Sequence, residues 1–203
     1  MTTKKFILGR KIGMTRIFNE NGKAIPVTVV EVNPCTVTFI RSKEKDGYEA
    51  VQVGCGLKNK INKPEKGHLK ELSQFAVLKE FRVNAPDHKI GDIIDISVFN
   101  EGEKVKISGI SKAKGFQGVV KRHSFRGGAA SHGQKHSLRE PGSIGSTWPQ
   151  RVLKGMRMAG RMGGERNTVK GLKVIKIDKD ENLIAVSGAI PGRRGTLVEI
   201  VGR

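Results

Sequence analysis

Basic side chains are concentrated between Ser111 and Asn167. This stretch carries twelve Lys or Arg residues and two acidic residues, a net charge of +10 in a chain whose total is +19. Guanidinium and ammonium groups bind phosphate oxygens, and each phosphate that is neutralised releases condensed counterions. The stretch is therefore predicted to bind a polyanion. The cations expected to neutralise phosphates are Lys112, Lys114, Lys121, Arg122, Arg126, Arg139, Lys154, Arg157 and Arg161.

Glycines and aromatic residues are interleaved with these cations. The stretch has eleven glycines, and Phe116, Phe125 and Trp148 lie among them. Glycine lets a backbone approach phosphates closely, and aromatic rings stack on unpaired bases. With neither a recognition helix nor a zinc-finger spacing, the pattern favours folded RNA over duplex DNA, and a solvated flexible linker is the alternative. Further candidate RNA contacts are His132, Trp148 and the glycines Gly115, Gly118, Gly142, Gly145 and Gly160.

No motif predicts catalysis or a bound metal. The chain has no P-loop, and residues 142–146 do not fit the nucleophile elbow of hydrolases. His132 and His136 are four residues apart but lack a third ligand, and Cys35 and Cys55 do not form a Cys-x-x-Cys pair. We therefore predict no enzymatic activity, metal, cofactor or small-molecule substrate. The alternative function is an RNA-modifying or RNA-processing enzyme that holds its substrate with the basic loop.

Composition predicts a soluble protein with one modest core. The 203 residues are 36% hydrophobic and have a pI near 10.2. An anionic membrane is the rival partner, but it favours an amphipathic basic helix, and residues 111–167 are too rich in Gly for one. The N-terminal residues do not resemble a signal peptide, and no apolar run approaches ~20 residues. Because the chain has only two cysteines, we expect them to be reduced thiols in the core and not part of a disulfide framework. A cytoplasmic protein without a membrane partner is expected.

Short β-strands separated by turn residues flank the basic stretch on both sides. Turn signals stand at Asn21-Gly22, Asp46-Gly47 and Pro86-Asp87, and one short helix is predicted within residues 64–76. Alternate strand residues share a face, so four valines are expected to point inward: Val27, Val29, Val51 and Val53. Strands are predicted at 6–8, 15–18, 25–32, 36–40, 48–53, 78–83, 93–99, 104–110, 172–177, 183–186 and 197–201.

The spacing of strands and turns predicts a mainly β fold, either a barrel or a sandwich. Strands lie on both sides of residues 111–167, and the three that follow are too few to fold alone. We therefore predict one β-barrel domain formed by residues 1–110 and 168–203. Residues 111–167 would be inserted in it as a long basic, Gly-rich extension, and such a loop without its own core is normally functional or disordered.

Several long motifs occur in a fixed order along nearly the whole chain. The first is GRKIGMTRIF at 9–18, and SKAKGFQGVVKR at 111–122 opens the basic stretch. SHG at 131–133 and PGSIG at 141–145 follow, and a Lys-Gly to Met-Gly segment spans 154–163. Together they resemble the bacterial type of the ribosomal protein L3 family.

The resemblance implies a translation-protein-type β-barrel whose extension threads into large-subunit rRNA. It implies a structural constituent of the large ribosomal subunit, which binds 23S-type rRNA and neighbouring large-subunit proteins and supports early assembly. The tip of the extension would come near the peptidyl transferase centre, and Trp148 is the candidate tip residue. The expected location is the ribosome in the cytoplasm.

The chain departs from the family pattern at a few positions. The family often has Gly where this chain has Ala113, and an acidic or amide residue where it has Lys106. Neither difference is expected to change the function. Some bacterial members carry a methylated Gln shortly after the PGSIG motif, but Trp148 stands at that place here and Gln150 lies beyond Pro149. The resemblance therefore does not extend this methylation to the chain.

Overall fold

The computed structural model describes residues 5–69, 72–83 and 88–202. It divides into two compact units, one made of Met1–Ile110 with Arg166–Arg203 and the other of Ser111–Glu165. The helices are α1 (Lys43–Asp46), α2 (Lys63–Leu69), α3 (Val119–His123) and a 3-10 helix (Ile96–Val98). The strands are β1 (Phe6–Phe18), β2 (Ala24–Glu31), β3 (Cys35–Arg41), β4 (Ala50–Leu57), β5 (Phe75–Phe81), β6 (Ile93–Ile94), β7 (Lys104–Ile110), β8 (Phe116–Gln117), β9 (Gly160–Arg161), β10 (Arg166–Asp178), β11 (Leu183–Ser187) and β12 (Leu197–Gly202).

Six strands of the first unit close into a barrel in the order β1-β12-β7-β10-β11-β2. All neighbouring strands are antiparallel, and the pairing of β1 with β2 closes the ring. The strands on either side of the second unit, β7 and β10, pair with each other from Arg166–Ile110 to Lys173–Lys104. The mainly β prediction is confirmed.

The remaining strands of the first unit form a separate four-stranded sheet, ordered β5-β4-β3-β6. The sequence prediction of one barrel did not anticipate this second sheet. Residues from both sheets nevertheless share one core cluster, in which Ile7 and Ile107 of the barrel join Val37 and Val53 of the second sheet. Period-two alternation shows that a strand has a buried face but does not identify its partner strand.

The N-terminal strand is longer than predicted. Two short strands around Gly9 and Gly13 were expected, but β1 runs without a break through both glycines. A Cβ at Gly9 would lie 2.6 Å from Val30 Cγ1, so glycine there permits the close approach of β2. A bulge between Lys11 and Gly13 shifts the register with β2 and lets the strand continue.

Predicted residues 93–99 form a shorter strand than expected. Only β6 is extended, and a 3-10 helix follows it because the Asp95 carboxylate accepts a 2.8 Å hydrogen bond from the Ser97 amide. The predicted helix within 64–76 corresponds to α2, which ends at Leu69, while Phe75 already begins β5. The predicted loop at Pro86-Asp87 lies outside the described residues.

The predicted burial of the four valines is correct in β4 and partly correct in β2. Val51 and Val53 are fully buried members of the core cluster. In β2, Val27 is fully buried as predicted, although it lies outside the core cluster, which contains Val30. Val29 is only half-buried. Successive side chains point to opposite faces, so the burial of both Val27 and Val30 shows that β2 is covered on both faces.

Glu199 of β12 links the barrel to the second sheet. Its carboxylate lies 3.1 Å from Lys79 Nζ of β5 and also accepts a hydrogen bond from Arg166 Nη2 of β10. Burial would raise the pKa of Glu199, but the hydrogen bonds from Arg166 and Lys79 outweigh it and hold the pKa below the ordinary 4.5. The ionised carboxylate therefore stabilises the first unit.

We expect Glu199→Gln to lower the free energy of unfolding by about 1 kcal/mol at neutral pH, where Glu199 is ionised. A lowered folded-state pKa means that this stabilisation is lost as pH falls through that pKa. The difference between the parent and the variant should therefore shrink below pH 4.5. Urea unfolding at several pH values measures it. Glu20→Gln, in the exposed β1–β2 turn, is the control, and an equal deficit at all pH values would contradict the assignment.

Within the described residues, no group of three or more His, Cys, Asp or Glu side chains is arranged to hold a metal ion. Among the same residues, no helix is both long and apolar enough to cross a membrane. Both cysteines are free thiols.

Candidate nucleic-acid interface

A short two-stranded stem closes the second unit at its base. Strands β8 and β9 pair Phe116 with Arg161 and Gln117 with Gly160. The amide of Lys114 donates to Met162 O, and the amide of Met162 donates to Gly115 O, each at 2.9 Å. Ser111 N donates to Glu165 O at 2.9 Å. Backbone hydrogen bonds therefore hold together the two ends of the basic stretch.

Glycine is required in this stem at Gly163. Its φ is +75°, and an added Cβ would lie 2.1 Å from the carbonyl oxygen of Lys112. Neither the backbone conformation nor the available space admits a side chain there. The two segments of the stem therefore pass closer to each other than two side-chain-bearing strands could.

The helix α3 follows the stem and is tied to the opposite segment by side chains. Arg122 Nη1 donates to Met158 O at 2.6 Å, and His123 Nε2 lies 3.0 Å from the same oxygen. The guanidinium of Arg157 lies over the ring of Phe125, 5.8 Å from its centroid. These contacts fix the direction in which the basic loop leaves the stem.

A second close approach lies further along the loop. The amide of Gly128 donates to Leu138 O at 3.0 Å, and a Cβ at Gly127 would lie 2.3 Å from the same oxygen. A cleft next to this crossing is lined by Phe125, Arg126, Gly127, Gly128, Ser137, Glu140, Pro141 and Gly142. The loop is therefore folded back on itself without a core.

Almost nothing apolar is buried in this unit. Among residues 111–165, all of which the structure describes, Val119 is the only buried residue, at 3% exposure. Leu138, Ile144, Val152 and Leu153 are exposed. Hydrophobic burial therefore contributes little to ordering this chain segment, and a large partner surface would be needed to fix it.

The predicted phosphate-binding cations are presented to solvent. Within residues 111–165, every Lys and Arg is exposed except Arg122, which is half-buried and bonded to Met158 O. No ion pair between an acidic side chain and a basic one is formed inside this unit. Arg122 and Arg157 are engaged by protein groups. The cations left available are Lys112, Lys114, Lys121, Arg126, Arg139, Lys154 and Arg161, together with Lys135 and Arg151.

The predicted glycines fall into different environments. Gly115 and Gly142 have φ of +69° and +78°, so they hold turns that other residues rarely adopt. Gly118 precedes α3, and an added Cβ at Gly118 or Gly145 would meet no atom within 4 Å. Gly160 approaches the Arg122 guanidinium, so the close contact at that position is with the protein itself.

Two of the side chains that were predicted to contact RNA are exposed on the loop. Trp148 is 82% exposed, which is unusual for the largest apolar side chain. His132 is exposed and adopts a left-handed φ of +59° next to Gly133. An exposed indole ring on a loop offers a face for stacking on an unpaired base.

The barrel wall carries a lysine cluster that was not predicted from the sequence. Lys104 pairs with Lys173 across β7 and β10, and Lys106 follows on the same outward face. Together with Lys170, in a β10 bulge, Lys104 and Lys106 border a cleft of about 410 Å³. The sequence did contain a signal for this cluster. Lys104 and Lys106 are two residues apart in a predicted strand, and such residues share a face.

The comparisons with known proteins identify the family. The model of ribosomal protein L3 matches residues 77–190. The large ribosomal subunit protein uL3 of Herpetosiphon aurantiacus is 53% identical over 201 residues, which cover 96% of this chain and 94% of that protein. The chain belongs to the ribosomal protein L3 family. The uL3 proteins of Syntrophomonas wolfei and Chlorobium limicola are 49% and 47% identical, covering 97% and 96% of this chain and 95% and 97% of those proteins.

Family membership confirms the resemblance seen in the motifs. The relatives are named as proteins of the large ribosomal subunit. The chain is therefore a ribosomal protein with a structural role, and it is not an enzyme. The alternative of an RNA-modifying enzyme is thereby set aside.

Proposed function

We propose that the chain is a structural constituent of the large ribosomal subunit and binds its 23S-type rRNA through residues 111–167. In this proposal, residues 1–110 and 168–203 form the supporting β domain, and 111–167 form an inserted rRNA-binding extension. The neighbouring partners are other large-subunit proteins, and the location is the cytoplasmic ribosome. Binding would begin early in subunit assembly.

One observation carries the proposal: the unit 111–165 exposes ten of its eleven Lys and Arg side chains and buries a single residue. A segment without a core gains its ordering free energy from a partner. No acidic side chain within the unit pairs with these cations, so the partner has to be a polyanion. Large-subunit rRNA fits both requirements, since neutralised phosphates release counterions along the whole path of the loop.

Trp148 is proposed as the tip residue that approaches the peptidyl transferase centre. Its exposed ring would stack on an rRNA base, and the neighbouring Gly142 and Gly145 let the backbone lie against sugar and phosphate. The Arg122–Met158 and Arg157–Phe125 contacts would set the direction of the segment leading to it. Trp148 therefore acts by position and stacking, without taking part in chemistry.

The lysine cluster of the barrel wall is proposed as a second, smaller contact with rRNA phosphates. Lys104, Lys106 and Lys170 border one cleft, and no acidic side chain is among the described residues that line it. Lys106 stands where the family often has an acidic or amide residue. This contact would therefore be stronger here than in those relatives.

The proposal is tested by replacing residues 124–150 with a short Gly-Ser linker. This change removes Arg126, Lys135, Arg139 and Trp148 but no buried residue. The barrel should keep its thermal midpoint, because loop-closure entropy depends only weakly on length. Subunits assembled with the variant should retain it after a high-salt wash but be impaired in late maturation or peptide-bond formation.

Trp148→Ala in the full chain is the matched variant for the tip alone, and it should reproduce the late defect with rRNA affinity nearly intact. If the linker variant unfolds, residues 124–150 belong to the core and the domain assignment is wrong. If the parent chain fails to co-sediment with large subunits after the wash, the proposed function itself is wrong.

A further inference from the structure

Two cysteines face each other across the second sheet. Cys35 begins β3 and is the direct partner of Cys55 in β4, with Thr36–Gly54 and Val37–Val53 continuing the same register. Both are free thiols. Residues directly opposite in an antiparallel pair have side chains on the same face and in contact distance.

The backbone hydrogen bonds of β3 show which type of antiparallel pair the two cysteines form. Val37 N donates to Asp92 O, and Val37 O accepts from Gly91 N, so the backbone groups of Val37 point away from β4. Cys35 lies two residues earlier without an intervening bulge, so its groups point the same way. Cys35 and Cys55 are therefore a non-hydrogen-bonded pair, whose Cα atoms are ~4.5 Å apart. That spacing lies within the ~4.4–6.8 Å range that a disulfide requires.

The two thiols differ in their access to solvent. Cys35 is fully buried, and its Sγ lies 3.5 Å from Asn33 O. Cys55 is half-buried, so a small reagent can reach it. One thiol of the pair is thus positioned to react with a solute and the other to react only with its neighbour.

The surroundings favour a thiolate at Cys55. The hydrogen bond from the Cys35 thiol lowers the pKa of Cys55 to about 7, against the effect of its partial burial. The Gly56 amide and the charge of Arg10 act in the same direction, and Glu31 opposes them. The neighbouring Cys55, together with burial, raises the pKa of Cys35. A thiolate near neutral pH is the reactive form in thiol–disulfide exchange.

We propose that Cys35 and Cys55 form a redox-modification site, in which Cys55 is the attacking thiol and Cys35 the resolving thiol. The oxidant is a low-molecular-weight disulfide such as glutathione disulfide. The product is an intrachain disulfide that joins β3 to β4. This site is independent of the proposed binding to rRNA.

The exchange proceeds in two balanced steps. The Cys55 thiolate attacks one sulfur of glutathione disulfide, which breaks that S–S bond and releases one glutathione thiolate. Cys35 then loses its proton to solvent and attacks Cys55 Sγ, which expels the second glutathione thiolate. Two protein thiols are oxidised, one small disulfide is reduced to two thiols, and no adduct remains.

The test incubates the folded, reduced full chain with glutathione disulfide and follows the intact mass. We expect the loss of two hydrogen atoms without a glutathione adduct, and a higher urea midpoint for the oxidised chain. Cys35→Ser should instead accumulate a mixed disulfide at Cys55. Cys55→Ser should stay unmodified when folded and become modified at Cys35 in guanidinium chloride.

The rate of the first step should rise with pH through about 7 and level off above it, as the thiolate fraction of Cys55 does. Cys35→Ala, which removes the donated hydrogen bond, should shift this profile to higher pH, whereas Cys35→Ser should shift it less. A stable glutathione adduct on the parent chain would overturn the proposal. A parent chain that stays reduced while its unfolded form reacts would also overturn it.

Discussion

Replacing seven of the nine available cations of the basic loop with Gln should lower affinity for a large-subunit rRNA fragment by several orders of magnitude. The substituted residues are Lys112, Lys114, Lys121, Arg126, Arg139, Lys154 and Arg161. If the parent chain contacts six to ten phosphates, its affinity should fall by ~10³–10⁵ between 50 and 200 mM salt. Each phosphate contact removed should lower the slope of log affinity against log salt concentration by ~0.7–0.9. Filter binding at several salt concentrations measures both quantities.

The control variant removes the same charge from exposed lysines of the first unit, outside the barrel-wall cluster. Its substitutions are Lys43, Lys45, Lys58, Lys60, Lys63, Lys66 and Lys89 to Gln. Both variants have the same net charge, so a non-specific electrostatic effect would weaken them equally. An equal loss in the two variants, or a nearly flat salt dependence of the parent chain, would exclude the loop as the main contact.

Replacing Val51 with Asp should prevent folding of the first unit. Val51 is fully buried in β4, where it pairs with Ile40 and Phe81 and belongs to the core cluster. A carboxylate there has no cation within the cluster, so it must stay charged without a partner or be protonated. The expected loss exceeds ~4 kcal/mol, out of the ~5–15 kcal/mol that stabilises a typical domain. Circular dichroism and a thermal melt measure the result.

Ala76→Asp is the matched control, because Ala76 lies in the neighbouring strand β5 of the same sheet but is exposed. It should melt within a few degrees of the parent chain. Val30→Asp, in the barrel, should be as damaging as Val51→Asp, whereas Val29→Asp should be milder because Val29 is half-buried. A cooperative melt for Val51→Asp at the parent temperature would show that the core assignment is wrong.

The fold class was predictable from the sequence because β-branched runs and turn residues are local signals. Strand β7 has the predicted bounds, and β11 and β12 differ from theirs by a single residue. The pairing of strands was not predictable, because hydrophobic alternation contains no information on which strand lies next to which. The length of β1 was missed because Gly9 and Gly13 resemble turn residues, whereas one permits close packing and the other ends a bulge.

The candidate interface was predictable as a segment but not residue by residue. Charge and glycine density within 111–167 indicated the basic loop. The structure exposes Lys112 and Trp148, and the roles suggested for them stay predictions. Arg122 and Arg157 cannot be told from the other cations by residue type alone. Their contacts with Met158 O and Phe125 depend on two segments about 35 residues apart being brought together.

The position of β12 in the barrel determines when this protein can finish folding during its own synthesis. β12 lies between β1 and β7. Its residues Leu197–Val201 pair with Phe6–Arg10 on one edge, and Val198–Gly202 pair with residues 105–109 on the other. A nascent chain leaves the ribosome N-terminus first, so both neighbouring edges wait for a strand that is translated long after them. Unpaired edges invite wrong pairing, and long-range pairing is slow. The new chain therefore emerges with its barrel open, and the ring can close only after β12 has been synthesised and is free to pair.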